Sequence, residues 1–76
     1  DAVKPWFKPE ATYAALSDLA GDSNANWIGR SAAVDAMLEM GAPKAVFAAL
    51  QKKLAGKTGE DALVLKTVEK DLPSAK

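Results

Sequence analysis

One segment of the chain is nearly repeated 34 residues later, and this repeat restricts the possible folds more than any other feature. The stretch TYAALSDLAG begins at Thr12, and VFAALQKKLAG begins at Val46. Pro9 and Pro43 precede the two stretches at the same offset, and a glycine ends each of them. A period of this size is typical of stacked helical hairpins. The sequence therefore predicts two similar units, each made of a helix, a turn and a second helix.

Apolar residues recur every three or four positions between the prolines and glycines, and no stretch alternates as a β-strand does. We therefore predict an all-α fold of four helices, arranged as two helix-turn-helix hairpins. The helices are expected at about 10–20, 27–40, 43–55 and 60–72.

The helical domain, residues 10–72, is flanked by two short segments. Residues 1–9 are predicted to form an extended N-terminal arm, because each of Pro5 and Pro9 favours extended backbone at the residue before it. Residues 73–76 are predicted to form a tail. The start at Asp1 rather than Met slightly favours an exported protein, periplasmic or secreted.

Ala supplies much of the hydrophobic fraction, so the core is expected to depend on few large side chains. The predicted set is Trp6, Phe7, Tyr13, Leu16, Leu19, Trp27, Ile28, Val34, Met37, Leu38, Phe47, Leu50, Leu54, Leu65, Val68 and Leu72. Leu63 lies away from the apolar stripe of the fourth helix. One residue of Ser23, Asn24 and Asn26 is expected to cap the second helix, and Thr58 with Asp61 predicts a capping box at the fourth.

Two residue types are missing, and their absence excludes several kinds of chemistry. The chain has no Cys and no His, so it offers no disulfide, no thiolate nucleophile, and neither the commonest metal ligand nor the commonest general base. The acidic pairs, such as Asp35 with Glu39, come with no aromatic cleft for a substrate. We therefore expect a protein that is not an enzyme, with no cofactor and no metal site.

The net charge is zero but is unevenly distributed. Residues 1–40 carry three Lys or Arg and six Asp or Glu, and residues 41–76 carry seven and four, which gives −3 and +3. Acidic residues interleave with the Lys residues of the second half, which indicates a solvated surface of ion pairs rather than a nucleic-acid interface. No apolar run approaches membrane-spanning length, so no membrane insertion is expected.

The segment LAGDSNANWIGRSAAVDAMLEMG resembles the loop and second helix of HEAT-like helical repeats. Asp22 after the first helix, Ile28 and Arg30 at the start of the second, and the small-residue run that follows carry the resemblance. The resemblance covers about residues 9–72, and it implies a scaffold that binds other proteins. A pair of such units is expected to close into a compact four-helix domain, to gain a subunit by self-association, or to continue in a longer chain.

We predict a non-catalytic protein–protein interaction module, a small accessory subunit or adaptor that docks on a larger protein. The predicted partner-binding residues are Trp6, Phe7, Trp27, Met40 and Leu63.

For Trp6 and Phe7, packing back onto one end of the helical core is the other interpretation. The alternative function is a carrier or sensor of an apolar small molecule, bound between the hairpins by Tyr13, Trp27, Phe47 and the Met residues.

Overall fold

The computed structural model describes residues 9–75, with side chains from Ala11 onward, and it confirms the all-α prediction for this part of the chain. The helices are α1 (Pro9–Ala20), α2 (Trp27–Glu39), α3 (Lys44–Leu54) and α4 (Glu60–Asp71), followed by a 3₁₀ turn (Leu72–Ser74). The predicted arm lies outside the described residues, except that Pro9 is already the first residue of α1.

The helix bounds repeat with the period that the sequence predicts. Shifting α1 by 34 residues gives 43–54, and α3 spans 44–54. Shifting α2 by the same amount gives 61–73, and α4 spans 60–71. After a shift of 34 residues, the helix ends of the first hairpin therefore agree with those of the second to within two residues.

Two hydrogen bonds show that α1 and α2 are antiparallel. The Nε of Arg30, early in α2, donates to the carbonyl oxygen of Ala20, at the end of α1, at 2.9 Å. The hydroxyl of Tyr13, early in α1, donates to the carbonyl of Met40, just after α2, at 3.3 Å. These contacts join both ends of the first hairpin.

The two hairpins stack through α2 and α4, which run parallel. Arg30 and Asp61 form an ion pair near the starts of the two helices, and Asp35 and Lys70 form another farther along. Between these pairs the hydroxyl of Thr67 donates to Ser31 at 3.3 Å. The helices α2 and α4 therefore lie side by side in the middle, with α1 packed on α2 and α3 packed on α4.

The core lies along this four-helix seam, and much of it is as predicted. Phe47, Leu50 and Leu54 bury the inner face of α3, and the described core is completed by Ala20, Ala33, Val34, Met37, Ala42, Val64, Val68 and Ala75. Partly buried hydrophobic residues packed against it are Tyr13, Leu16, Trp27, Leu38, Val46, Leu65 and Leu72.

Two residues predicted to be in the core, Leu19 and Ile28, lie on the surface instead. In α1 the inward position one turn after Leu16 belongs to Ala20, so Leu19 points away. In α2 the inward position near the start of the helix is taken by Arg30, which is fully buried. Each prediction was wrong by one or two positions around the helix, which is enough to move a side chain from the core to solvent.

The caps of α2 and α4 differ. Asn26 caps α2, because its side-chain oxygen accepts a hydrogen bond from the backbone N–H of Ile28 at 2.8 Å. The predicted capping box at α4 was wrong. The N-cap is Gly59, whose φ of 66° suits glycine, and no side chain caps the helix. The carboxylate of Asp61 instead pairs with Arg30.

Candidate functional site

An open apolar groove of about 450 Å³ runs between the outer helices α1 and α3. It is lined by Tyr13, Ala14, Ser17, Pro43, Ala45, Val46 and Ala49. The groove exists because small side chains face it from both helices while α2 and α4 pack together beneath. Two of the alanines, Ala14 and Ala49, belong to the repeated AAL triplets. The same small residues that the repeat supplies thus leave space between the outer helices.

The groove offers little chemistry. Its polar side-chain groups are the hydroxyls of Tyr13 and Ser17, and the Tyr13 hydroxyl is bonded to the Met40 carbonyl. Beside the far end of α1, a Cβ added to Gly21 would lie 2.8 Å from Nζ of Lys53, so the Lys53 side chain lies close against that turn. Such a groove can bind an apolar group, and its lining contains no Asp, Glu, His, Lys or Arg side chain.

A second candidate surface lies at the end of the molecule where α1 ends and α2 and α4 begin. We call it the apolar end, and it consists of Leu19, Trp27, Ile28 and Leu63. Three of these are large apolar side chains with high exposure: Leu19 (42%), Ile28 (62%) and Leu63 (38%). Trp27 is half-buried against the core. Several large exposed apolar side chains at one end of a small domain make that end a candidate for contact with another protein.

The predicted partner-binding residues do not form one patch in the described part of the chain. Two of them belong to the apolar end. Trp27 is the first residue of α2, and Leu63 lies in the first turn of α4. Met40 is 39% exposed but follows the far end of α2, about 20 Å away along the helix axis. Trp6 and Phe7 lie outside the described residues. None of the described three lines the groove.

At the same end of the molecule, Arg30, Asp61 and Ser23 form a charged cluster that the sequence pattern did not reveal. Arg30 is fully buried in it, and the Asp61 side chain is 15% exposed. Nη2 of Arg30 is 2.6 Å from Oδ1 of Asp61, and the hydroxyl of Ser23 donates to both Asp61 oxygens at 3.1 Å. The hydrogen bond from Arg30 is the main cause that lowers the pKa of Asp61 below its usual value, with Ser23 adding to it against the opposing effect of burial. Asp61 was expected to interleave with the Lys residues of the solvated face; its side chain is 15% exposed and pairs with Arg30.

The acidic residue Asp71 was also expected on the solvated face, but the structure buries it, with 3% of the residue exposed. Its Oδ1 lies 3.9 Å from Nζ of Lys70, and its Oδ2 has no hydrogen-bond partner among the described residues. Burial, followed by the neighbouring Asp35 carboxyl, raises the pKa of Asp71 from 3.8 to about 6. Lys70 also lies 3.7 Å from Asp35, so this cluster links α2 and α4 at the end opposite Arg30.

Neither cluster has the composition of a metal centre. Among the residues that the structure describes, no three Asp, Glu, His or Cys side chains lie together where a metal ion could be held. None of the helices within residues 9–75 combines the length and apolarity needed to cross a membrane. Comparison with protein-family models, with curated proteins and with solved structures finds no match to this chain.

The alternative apolar-ligand site is only partly assembled by the fold. Tyr13 lines the groove, but Phe47 and Met37 are fully buried in the core, and Trp27 lies outside the lining. The sequence signal that could have located the groove is the pair of AAL triplets, because small residues on two neighbouring outer helices leave a gap between them, although the alanines that line it, Ala14 and Ala49, are not equivalent positions of the repeat.

Proposed function

We propose that the protein is a non-catalytic protein–protein interaction module, a small accessory subunit or adaptor that docks on a larger protein. The observation that supports this proposal is the apolar end, where Leu19, Ile28 and Leu63 are each more than a third exposed. Burial of these side chains by a partner is favourable by about 25 cal/mol for each Å² of apolar surface removed from water.

The chemistry of the partner follows from the composition of this surface. Trp27 provides a partly buried aromatic anchor, and the aliphatic side chains of Ile28 and Leu63 provide apolar contact around it. The Arg30–Asp61 ion pair joins the starts of α2 and α4, which carry these side chains, so less conformational entropy is lost on docking than for unconnected helices. We infer a partner protein with a complementary apolar surface. The zero net charge and the interleaved acids argue against nucleic acid.

The proposal can be tested by affinity capture from the lysate of the source organism, with bound proteins quantified by mass spectrometry. Leu63→Gln and Ile28→Gln should each lower the recovery of a specific partner by at least about tenfold, which corresponds to 1.4 kcal/mol. Trp27→Ala and Met40→Gln extend the test to the other predicted residues, and Trp6→Ala extends it to the arm.

The matched control is Lys66→Gln, which changes an exposed side chain of α4 one turn beyond the apolar end. It should retain the partner. Recovery of the same protein at equal levels with Leu63→Gln, Ile28→Gln and wild type would contradict docking through this end.

A carrier or sensor of an apolar small molecule is the second candidate, and the volume of the groove supports it. About 450 Å³ lies within the range of roughly 300–1,000 Å³ found for ligand sites. Native mass spectrometry of the purified protein should then show a retained ligand mass that is lost with Ala49→Glu, which places a charge in the groove. Protein without any additional mass, and without stabilisation by long-chain fatty acids or alcohols, would contradict it.

A further inference from the structure

The apolar groove between α1 and α3 ends at a positive charge. On the α1 side the groove is lined by Ser17, and Gly21 lies one turn beyond it, directly after the helix. On the α3 side the groove is lined by Ala49, and Lys53 lies one turn beyond it. The two helices therefore bring a glycine and a lysine to the same end of the groove.

The side chain of Lys53 reaches across to this glycine. A Cβ added to Gly21 would lie 2.8 Å from Nζ of Lys53 and 3.0 Å from its Cε, so the missing side chain at position 21 makes room for the ammonium group. The N–H of Gly21 donates to the carbonyl of Ser17 at 2.9 Å. The ammonium group is therefore about one helical turn from Ser17, a residue of the groove lining.

The charge of Lys53 is available to a ligand. None of the ion pairs formed by residues 9–75 involves Lys53. The acidic residue that follows Gly21, Asp22, instead accepts a hydrogen bond from the N–H of Asn24 at 2.9 Å. Lys53 is exposed, so an anion can approach its ammonium group from solvent.

The groove and this charge together define the chemistry of a ligand. The lining from Tyr13 towards Gly21 extends about 12 Å along α1, and apart from two hydroxyl groups its side chains are apolar. This shape and polarity suit one apolar chain. At the Lys53 end, an anionic group gains a charge-assisted hydrogen bond, and the Ser17 hydroxyl can donate another. A neutral head group gains no charge-assisted bond, and a cationic one is repelled.

We propose that the α1–α3 groove binds a single-chain amphiphile with an anionic head group, such as a fatty acid. The apolar chain lies along Tyr13, Val46 and Ala49, and the head group lies between Lys53 and Ser17. This inference rests on the carrier function given above as the second candidate, and it names the class of ligand and the residues that select it.

Isothermal titration calorimetry of the full chain with octanoate and with octanol tests the proposal, because the two probes share one apolar tail. Wild type should bind octanoate more tightly than octanol. Lys53→Gln should weaken octanoate binding at least about threefold and leave octanol binding unchanged. Lys52→Gln is the matched control, because it removes the same charge from the adjacent exposed position of α3, and it should change neither affinity.

A second pair of variants shows whether the probes occupy the groove. Ala49→Glu places a carboxylate in the lining and should abolish the binding of both probes. Ala48→Glu is its control, because Ala48 is exposed on the same helix but does not line the groove, and it should retain binding.

The failure of this inference differs from the failure of the carrier function. Equal affinities of wild type for octanoate and octanol, or equal effects of Lys52→Gln and Lys53→Gln, would overturn the assignment of the head group and leave an apolar site. No binding of either probe, or binding that survives Ala49→Glu, would overturn both the assignment and the carrier function of the groove.

Discussion

The two hairpins have matching helix bounds but differ in what they bury at equivalent positions. Thirty-four residues after the buried Arg30 stands the buried Val64, and thirty-four after the buried Met37 stands the buried Asp71. Each unit thus has one buried charged residue where the other unit has an apolar one. Val34 and Val68, by contrast, are equivalent and fully buried in both.

Both buried charges lie at the α2–α4 interface, near its opposite ends. Arg30 of the first unit pairs with Asp61 of the second, and Asp71 of the second lies beside Asp35 of the first. Apolar packing alone would tolerate a slide of one parallel helix along the other. The buried Arg30 side chain has its opposite charge, Asp61, only in one alignment of the two helices, so it penalises such a slide, which is the best-attested role of buried polar groups. The difference between the units at position 30 therefore identifies a residue that fixes the relative alignment of α2 and α4.

The largest effect is expected from Arg30→Ala. It leaves Asp61 and the Ala20 carbonyl without their partner and removes a fully buried side chain. The unpaired acceptors and the lost packing of a fully buried side chain together cost a large part of the stability of a small domain. Urea unfolding followed by circular dichroism should show this loss, with Lys66→Ala within about 0.5 kcal/mol of wild type as the control. A loss of under 1 kcal/mol would show that the pair is not important for the stacking of the hairpins.

Phe47 and Tyr13 are equivalent residues of α3 and α1 that differ in burial. Phe47→Ala should cost about 3–5 kcal/mol, because it opens a cavity in the core. Tyr13→Ala should cost less than half as much, since the side chain is only partly buried and its hydrogen bond to Met40 is exposed. Chemical denaturation of the two variants measures the difference. Equal losses would contradict the difference in burial between Tyr13 and Phe47.

Asp71→Asn should raise stability at neutral pH. The pKa of Asp71 rises from 3.8 unfolded to about 6 folded, so the folded state binds the proton more tightly. Stability then falls as the pH increases from about 4 to about 6, and at pH 7 the charged carboxylate costs at most about 3 kcal/mol.

Melting temperatures at pH 4 and pH 7 test this effect of Asp71. The variant should gain at pH 7 and change little at pH 4. Glu69→Gln, an exposed neighbour, removes the same charge and should show no such pattern. An Asp71→Asn variant that is less stable than wild type at pH 7 would contradict the unfavourable burial. The lowered pKa of Asp61 acts at a different pH, because its contribution is present above 3.8 and is lost as the pH falls below that value.

The smallest effects concern the two inner-helix caps. Asn26→Ala removes the side-chain bond to the Ile28 N–H and should cost about 1 kcal/mol. Thr58→Ala should stay within about 0.5 kcal/mol, because Gly59 is the N-cap of α4 and no side chain caps it. The two losses can be compared in one urea titration series. If Thr58→Ala lowered the free energy of unfolding as much as Asn26→Ala does, this would indicate that Thr58 caps α4 after all.

The sequence alone determined the number, length and pairing of the helices. Prolines and glycines act through local backbone geometry, and the 34-residue period connects equivalent helices, so neither needs knowledge of the packing. The inward positions of Phe47, Leu50 and Leu54 followed from helical spacing for the same reason. Leu63 was correctly expected to point away from the stripe of α4.

Only the tertiary structure decided where the charged residues lie and where the candidate sites are. Charged residues such as Arg30 and Asp71 are ordinarily on the surface, and their burial depends on which helix lies opposite, as does the ion pair of Asp61. The same holds for the exposure of Leu19 and Ile28 and for the α1–α3 groove. Local propensity fixes a helix, but the free energy of burying a charge or leaving a gap depends on neighbours far away in sequence.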